Sequence, residues 1–240
     1  MSLKNHGFTA EEARAKNTSW AITYADLVTL LLTFFVLLLV ILNEEEKQID
    51  HVINKLLNET YFELKKIESN YLKVTRETKG VKLTISSGRL FNSLKADVLP
   101  SALPLLDQIG AIIRVSKLLH IEKDPKYTKF MTAILKLGKE LNVEIRCEGH
   151  TDSDLVPKNS KFESNWDLST TRALNIVKYI SEKSKIPEKE FSAMGYGEFR
   201  PAVAMDTVAN NSLAIEEGKS KNRRVEIYLD AFLKTNIITQ

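Results

Sequence analysis

The segment Trp20–Leu42, WAITYADLVTLLLTFFVLLLVIL, is apolar almost without interruption. About 20 apolar residues, wound as a helix, match the roughly 30 Å hydrocarbon core of a bilayer. A secretory signal would have a shorter apolar region and a small-residue cleavage site. Here Asn43 and the acidic run Glu44–Glu46 follow directly. The chain is therefore expected to hold one transmembrane helix at 20–42. Lys4, Arg14 and Lys16 precede the span, against Glu11 and Glu12, and no basic excess follows it. That bias puts segment 1–19 in the cytoplasm, and the C-terminal part beyond the inner membrane, in the periplasm.

One carboxylate interrupts the span. An Asp at the centre of a membrane helix costs about 2.5–3.5 kcal/mol, so Asp26 needs a purpose or a partner. On a helix Thr23, Leu30 and Thr33 share its face, with Thr29 beside them. A narrow polar stripe on an apolar rod should face protein or a water path rather than lipid. A carboxyl group that can exist neutral or charged inside the membrane is what ion carriage requires. Each elementary charge crossing the potential releases about 2.3 kcal/mol per 100 mV. On the residues alone, a structural Asp bonded to a neighbouring helix stays open beside this reading.

Residues 43–79 are charged, with Ile49, Val52, Ile53, Leu56, Leu57, Leu64, Ile67 and Tyr71 recurring at helical spacing. They predict an amphipathic linker helix. Its stripe would cover a second copy of the chain, plug against the membrane, or pack on the C-terminal domain. From 80 the pattern changes. Residues 81–85, 143–147 and 224–230 alternate as half-buried strands. Helical patterns occupy 100–119, 127–141 and 166–183, so 80–240 predicts an α+β domain, a sandwich of helices on a sheet.

Composition removes several function classes. With 34 basic and 31 acidic residues and a net charge of +3, nothing points to a nucleic-acid partner. The single cysteine, Cys147, excludes an intrachain disulfide and sits on an apolar strand face, as a small core residue would. Four scattered histidines give no zinc-ligand spacing. His150 has no Ser, Cys or second acid at a matched position, so it reads as a loop-orienting hydrogen-bond residue rather than a catalyst. No cofactor and no covalent catalysis are expected. Trp166 and Tyr196 read first as core or rim packing.

The run Trp20-Ala-Ile-Thr-Tyr24-Ala25-Asp26-Leu-Val-Thr29 resembles the membrane signature of the MotB/PomB family, the B subunits of stator units that drive flagellar motors. The ZorB subunit of Zorya antiviral systems is similar. The resemblance implies that Asp26 carries the translocated ion, H⁺ or Na⁺. It also implies a pentameric MotA-like A subunit around a dimer of this chain. Further on come Glu148-Gly-His-Thr-Asp152, Asn165-Trp-Asp-Leu168-Ser-Thr-Thr-Arg172-Ala, Gly195-Tyr-Gly-Glu198 and Lys221-Asn-Arg223-Arg-Val-Glu-Ile227. In this order they resemble the OmpA-like peptidoglycan-binding domain over roughly 80–230.

Stem peptides of many walls carry diaminopimelate, which offers an ammonium and a carboxylate. A fixed carboxylate and a fixed guanidinium would hold its two ends. The family's residues for these roles match Asp152 and Arg172, and by the same matching Asn165, Leu168 and Arg223 line the pocket. Asp152 and Arg172 are both expected on exposed surfaces. Without the resemblance, an Asp152–Arg172 ion pair that only closes a loop would be the simpler reading. Three stretches depart from the family pattern: 90–93, a longer loop at 152–157, and a connector at 118–127. The sequence thus predicts a stator B subunit of flagellar type. A Zorya-type defence motor is the first alternative, and a passive membrane-to-wall tether without ion flow is the second. A tether would have no use for Asp26.

Overall fold

The computed structural model describes residues 10–205 and 211–235. Residues 1–9 of the N-terminal segment, Lys4 among them, lie outside the described residues. Two compact units divide the chain, Met1–Asp50 and His51–Gln240.

In the first unit, helix α1 (Ala10–Lys65) begins. It contains Trp20–Ile41, which is long and apolar enough to cross a membrane. Side chains such as Leu27, Phe34, Phe35 and Leu39 are exposed around it. So large an apolar surface is incompatible with water on all sides. Among the described residues this segment is the one helix long and apolar enough to cross a membrane, and it coincides with the span expected at 20–42.

The second unit is built on a five-stranded sheet in the order β1-β2-β5-β3-β4. The strands are β1 (Leu72–Glu77), β2 (Gly80–Ser86), β3 (Lys139–His150), β4 (Phe191–Gly195) and β5 (Arg224–Thr235). All neighbours are antiparallel except β3 and β4, which run parallel. The helices are α2 (Ser87–Leu90), α3 (Leu103–Val115), α4 (Lys117–His120), α5 (Thr128–Lys136), α6 (Asn165–Ser184) and α7 (Ser212–Asn222). Alternation decides the core. Val81, Leu83 and Ile85 of β2, Ile145 and Cys147 of β3, and Val225, Ile227 and Leu229 of β5 are all buried. Leu106, Ile109 and Ile113 of α3, and Ala173, Ile176 and Ile180 of α6, are buried with them. Cys147 is a core residue, and burial pushes its thiol pKa up, away from reactivity.

The linker stripe takes the last of the three surfaces left open to it, and the linker's helical extent differs from the expectation. Ile53, Leu56, Leu57 and Leu64 are buried within the unit that carries the sheet. Thr60 Oγ1 lies 2.8 Å from Ser116 Oγ beside α3. That part of the stripe is closed off inside its own domain and cannot be the face offered to a second copy or to the membrane. The segment 43–79 is not helical throughout. Tyr71 ends the apparent stripe where β1 starts, and β1 is an edge strand hydrogen-bonded to β2. The alternation in Leu72, Val74 and Arg76 is too weak to stand out beside a long helical run. The connector 118–127 forms α4 and two short 3₁₀ turns. It buries Leu118 and Ile121, so it is part of the core rather than a loose insertion.

One close approach sets the position of α6. A Cβ on Gly149 would lie 2.1 Å from the Ser169 carbonyl oxygen. Only glycine lets the helix backbone press onto the end of β3. That contact brings the first turns of α6 beside the loop that leaves β3.

Candidate functional site

Two places carry the chemistry. The first is the membrane helix. Thr23, Thr29 and Thr33 donate their hydroxyls to the carbonyls of Trp20, Asp26 and Leu30, each at 2.8 Å. Their polarity is therefore met within the helix, as is usual for hydroxyls in hydrocarbon. Among the described residues, no hydrogen bond or ion pair to the Asp26 carboxylate is seen. Trp20 and Tyr24 sit one turn apart with ring centroids 6.4 Å from each other, suited to the membrane boundary.

The second is a cavity of about 530 Å³ in the C-terminal unit. It brings together Asp152, Asn165, Leu168, Arg172 and Arg223, all five residues singled out by motif. Three elements supply them. The chain leaving β3 presents Asp152. Helix α6 presents Asn165, Leu168 and Arg172 at spacings of three and four, hence on one face. Ser164 caps that helix by accepting from the Asp167 amide at 3.2 Å. Arg223 lies between α7 and β5.

The loop-closing ion pair that the residues alone would suggest is not formed. Arg172 does not close on Asp152. Its Nε donates to Lys95 O at 2.9 Å and its Nη2 to Asn92 O at 3.2 Å. The guanidinium also lies over the Phe91 ring, 5.1 Å from its centroid. Burial lowers the Arg172 pKa to about 10, with nearby Asp152 opposing the shift and Arg223 adding to it. The group thus stays cationic at neutral pH. Asp152 instead binds Arg223, whose Nη1 is 2.6 Å from Asp152 Oδ2. The second arm of Arg223 reaches Glu216 Oε1, also at 2.6 Å. Burial works against the charge on Arg223, but these two carboxylates outweigh it and hold its pKa above the ordinary value.

Nor is either member of the expected pair exposed: Asp152 is 8% and Arg172 6% accessible. Burial of a charge demands partners, and each found them in neighbouring backbone and side chains. Asn165 Nδ2 donates to Asp154 O at 2.9 Å and ties the 152–157 loop to the helix. Lys219 Nζ pairs with Asp154 Oδ1 at 2.6 Å. Sequence reasoning missed Asp154, Glu216 and Lys219, because only the tertiary fold brings α7 over that loop. It also missed Leu94, which lines the cavity with a left-handed backbone, φ 53°. In the turn at 92–95, Lys95 N donates to Asn92 O at 3.1 Å. That turn presents both carbonyls to Arg172, and strain at such a position is characteristic of binding sites.

His150 is not a loop orienter. It ends β3, fully buried, and stacks on Tyr196 at 5.4 Å. Glu148 Oε2 and Glu226 Oε2 lie 3.7 and 3.8 Å from its Nε2. These three residues could be read as metal ligands. However, Arg146 pairs with Glu148, while Arg224 and the Tyr228 hydroxyl hold Glu226 at 2.8 and 2.7 Å. The cluster is already a neutralised charge ladder across β3 and β5. Burial, assisted by Arg224, lowers the His150 pKa from 6.5 to about 4 despite Glu226. A depressed histidine binds its proton more readily when unfolded. Its contribution to stability is therefore complete above pH 6.5 and lost as pH falls toward about 4. Denaturant midpoints measured at pH 7.5 and 5 should fall on acidification for the native chain, and fall less for His150→Gln. Equal falls would place the sensitivity elsewhere.

Known proteins share these parts. A family model described as membrane MotB of the proton-channel complex MotA/MotB matches residues 4–59. The OmpA family model matches 116–214. Motility protein B of Bacillus subtilis is 32% identical over 185 residues, covering 77% of this chain and 57% of that protein. The uncharacterized protein YtxE of the same organism is 28% identical, covering 95% of this chain and 97% of its own length. Among solved structures, a MotB-like protein from Desulfovibrio vulgaris superposes with a TM-score of 0.52 at 21% identity, over 78% of this chain and 98% of that one. With the MotB model on the membrane end and the OmpA model on the sheet domain, the chain belongs to the MotB-type stator B subunits with a C-terminal OmpA-like domain.

Proposed function

We propose that this subunit works in an ion-driven stator of flagellar type. Asp26 carries H⁺ or Na⁺ across the inner membrane, and the domain beyond it anchors the unit to peptidoglycan in the periplasm. A pentameric MotA-like A subunit surrounds the spans of two copies. The N-terminal segment is cytoplasmic, as its basic flank requires. Asp152 receives the ammonium of a diaminopimelate end, and Arg172 its carboxylate. Asn165, Leu168 and Arg223 complete the wall of the pocket. Because the inner part of the linker stripe is buried, the two copies meet through their spans or through another surface.

The observation that carries this reading is one chain joining a lone carboxylate in an apolar span to a cavity in which Asp152 and Arg172 stand without pairing with each other, Asp152 being held by Arg223. Arg172 is fixed by carbonyls, so its charge is not cancelled by direct pairing with Asp152. A zwitterionic ligand could therefore meet both. Similarity to Motility protein B favours a flagellar over a defence output. Purified sacculi should retain the detergent-solubilised full chain, and soluble muropeptide should release it. A chain left in the supernatant at low salt would overturn the anchoring half of the proposal.

A further inference from the structure

Next to the cavity-lining Asn165 an aromatic pair stands in solvent. Trp166 is 48% and Phe199 63% exposed. Their rings stack on each other, centroids 5.4 Å apart and planes inclined by 30°. Each is next in sequence to a residue tied to the site. Asn165 lines the cavity, and the carboxylate of Glu198 lies 3.4 Å from Asn165 Nδ2.

The backbone is arranged to bring them together. Gly197 adopts φ +52°, which favours glycine. A Cβ there would touch Asn165 and the Trp166 amide at 3.4 Å. Its N–H donates to Ser169 Oγ at 3.0 Å, and the Phe199 amide to Tyr196 O at 3.1 Å. The loop after β4 is thereby folded onto the start of α6, and Phe199 onto Trp166. The fold thus builds two large rings into a stack and leaves much of both in water, although burial of such rings would be favourable. Tyr196, by contrast, is half-buried and its ring is already taken by His150 and the Arg200 guanidinium.

We infer that the Trp166–Phe199 stack is a carbohydrate platform, on which a pyranose ring of the glycan strand lies while its stem peptide enters the cavity. The inference rests on reading the cavity as a stem-peptide site. A stem peptide hangs from a glycan strand, so a site that holds the peptide must have sugar close to its mouth. A pyranose has an apolar C–H face and a rim of hydroxyls. A flat aromatic surface answers the face. Asp167 and Glu198, each next in sequence to one of the rings, supply carboxylate acceptors for the hydroxyls. A peptide partner would have asked for apolar side-chain pockets rather than one flat stack edged with acids.

The test compares three soluble probes on the full-length chain in detergent: a disaccharide-peptide, the same stem peptide without sugar, and a glycan oligomer without peptide. The native chain should bind the disaccharide-peptide about ten-fold more tightly than the free peptide, as one aromatic contact can supply. Trp166→Ala and Phe199→Ser should remove that advantage and leave affinity for the free peptide unchanged. The unchanged affinity also shows that each variant has folded. The glycan oligomer should quench Trp166 fluorescence weakly in the native chain and not in Phe199→Ser. If both peptides bind the native chain equally, or the variants keep the sugar advantage, the platform is overturned while the peptide site stands. If neither peptide binds the native chain, the peptide-site reading fails and the platform with it.

Discussion

Asp26→Asn is expected to abolish ion-driven output while leaving the chain in the membrane at normal abundance. The amide matches the carboxylate in shape and can still hydrogen-bond. It can neither exchange a proton at neutral pH nor neutralise a bound cation. Insertion should become easier, because an uncharged amide in hydrocarbon costs less than a charge. A structural Asp would behave in the opposite way: its amide, still able to bond to a neighbouring helix, would preserve much of the function. Motility, or ion flux into vesicles carrying both subunits, should be read beside membrane abundance. Normal output from Asp26→Asn at normal abundance would remove the ion-carrier role. Asp26→Glu, which restores the charge on a longer arm, should recover part of the output, since the carboxylate and not the exact reach is what ion exchange demands.

Substitutions at the two ends of the cavity should separate binding from folding. Asp152→Asn keeps the shape and leaves Arg223 its second partner, Glu216. The domain should stay folded, and retention on sacculi should fall about ten- to hundred-fold, the worth of a hydrogen bond to a charged group. Arg172→Ala should lose both binding and stability. It strips donors from the Asn92 and Lys95 carbonyls; Asn92 O keeps the Lys95 amide, so the cost falls mainly on Lys95 O, at about 1–3 kcal/mol if it is left dry. Arg172→Lys keeps the charge but not the fork, so it should hold part of the stability and little of the affinity. If both groups grip one ligand, the double variant should lose less than the sum of the single losses. Native-level retention in Asp152→Asn and Arg172→Lys together would mean that the wall site lies elsewhere.

The sequence by itself determined the membrane span, because a run from Trp20 to Ile41 with one charge has few stable states in water. It also showed the alternating strands around Leu83, Ile145 and Ile227, whose two-residue period survives any tertiary context. The motif residues Asp152, Asn165, Leu168, Arg172 and Arg223 could be named, since each sits in a short recognisable run. What only the tertiary structure decided was who meets whom. The helical stripe at Ile53, Leu56 and Leu57 said that a surface would be covered, but periodicity carries no information about which surface. It is the chain's own domain. Without the family resemblance, a loop-closing pair of Asp152 with Arg172 was the simpler reading, and it does not form. Their partners came instead from residues far along the chain: Arg223 for one, and the carbonyls of a turn at 92–95 for the other. A buried charge takes whatever donors and acceptors the packed backbone brings within reach. Those are set by how α6 lies on Gly149 and how α7 crosses the loop, and no local pattern in the sequence records either.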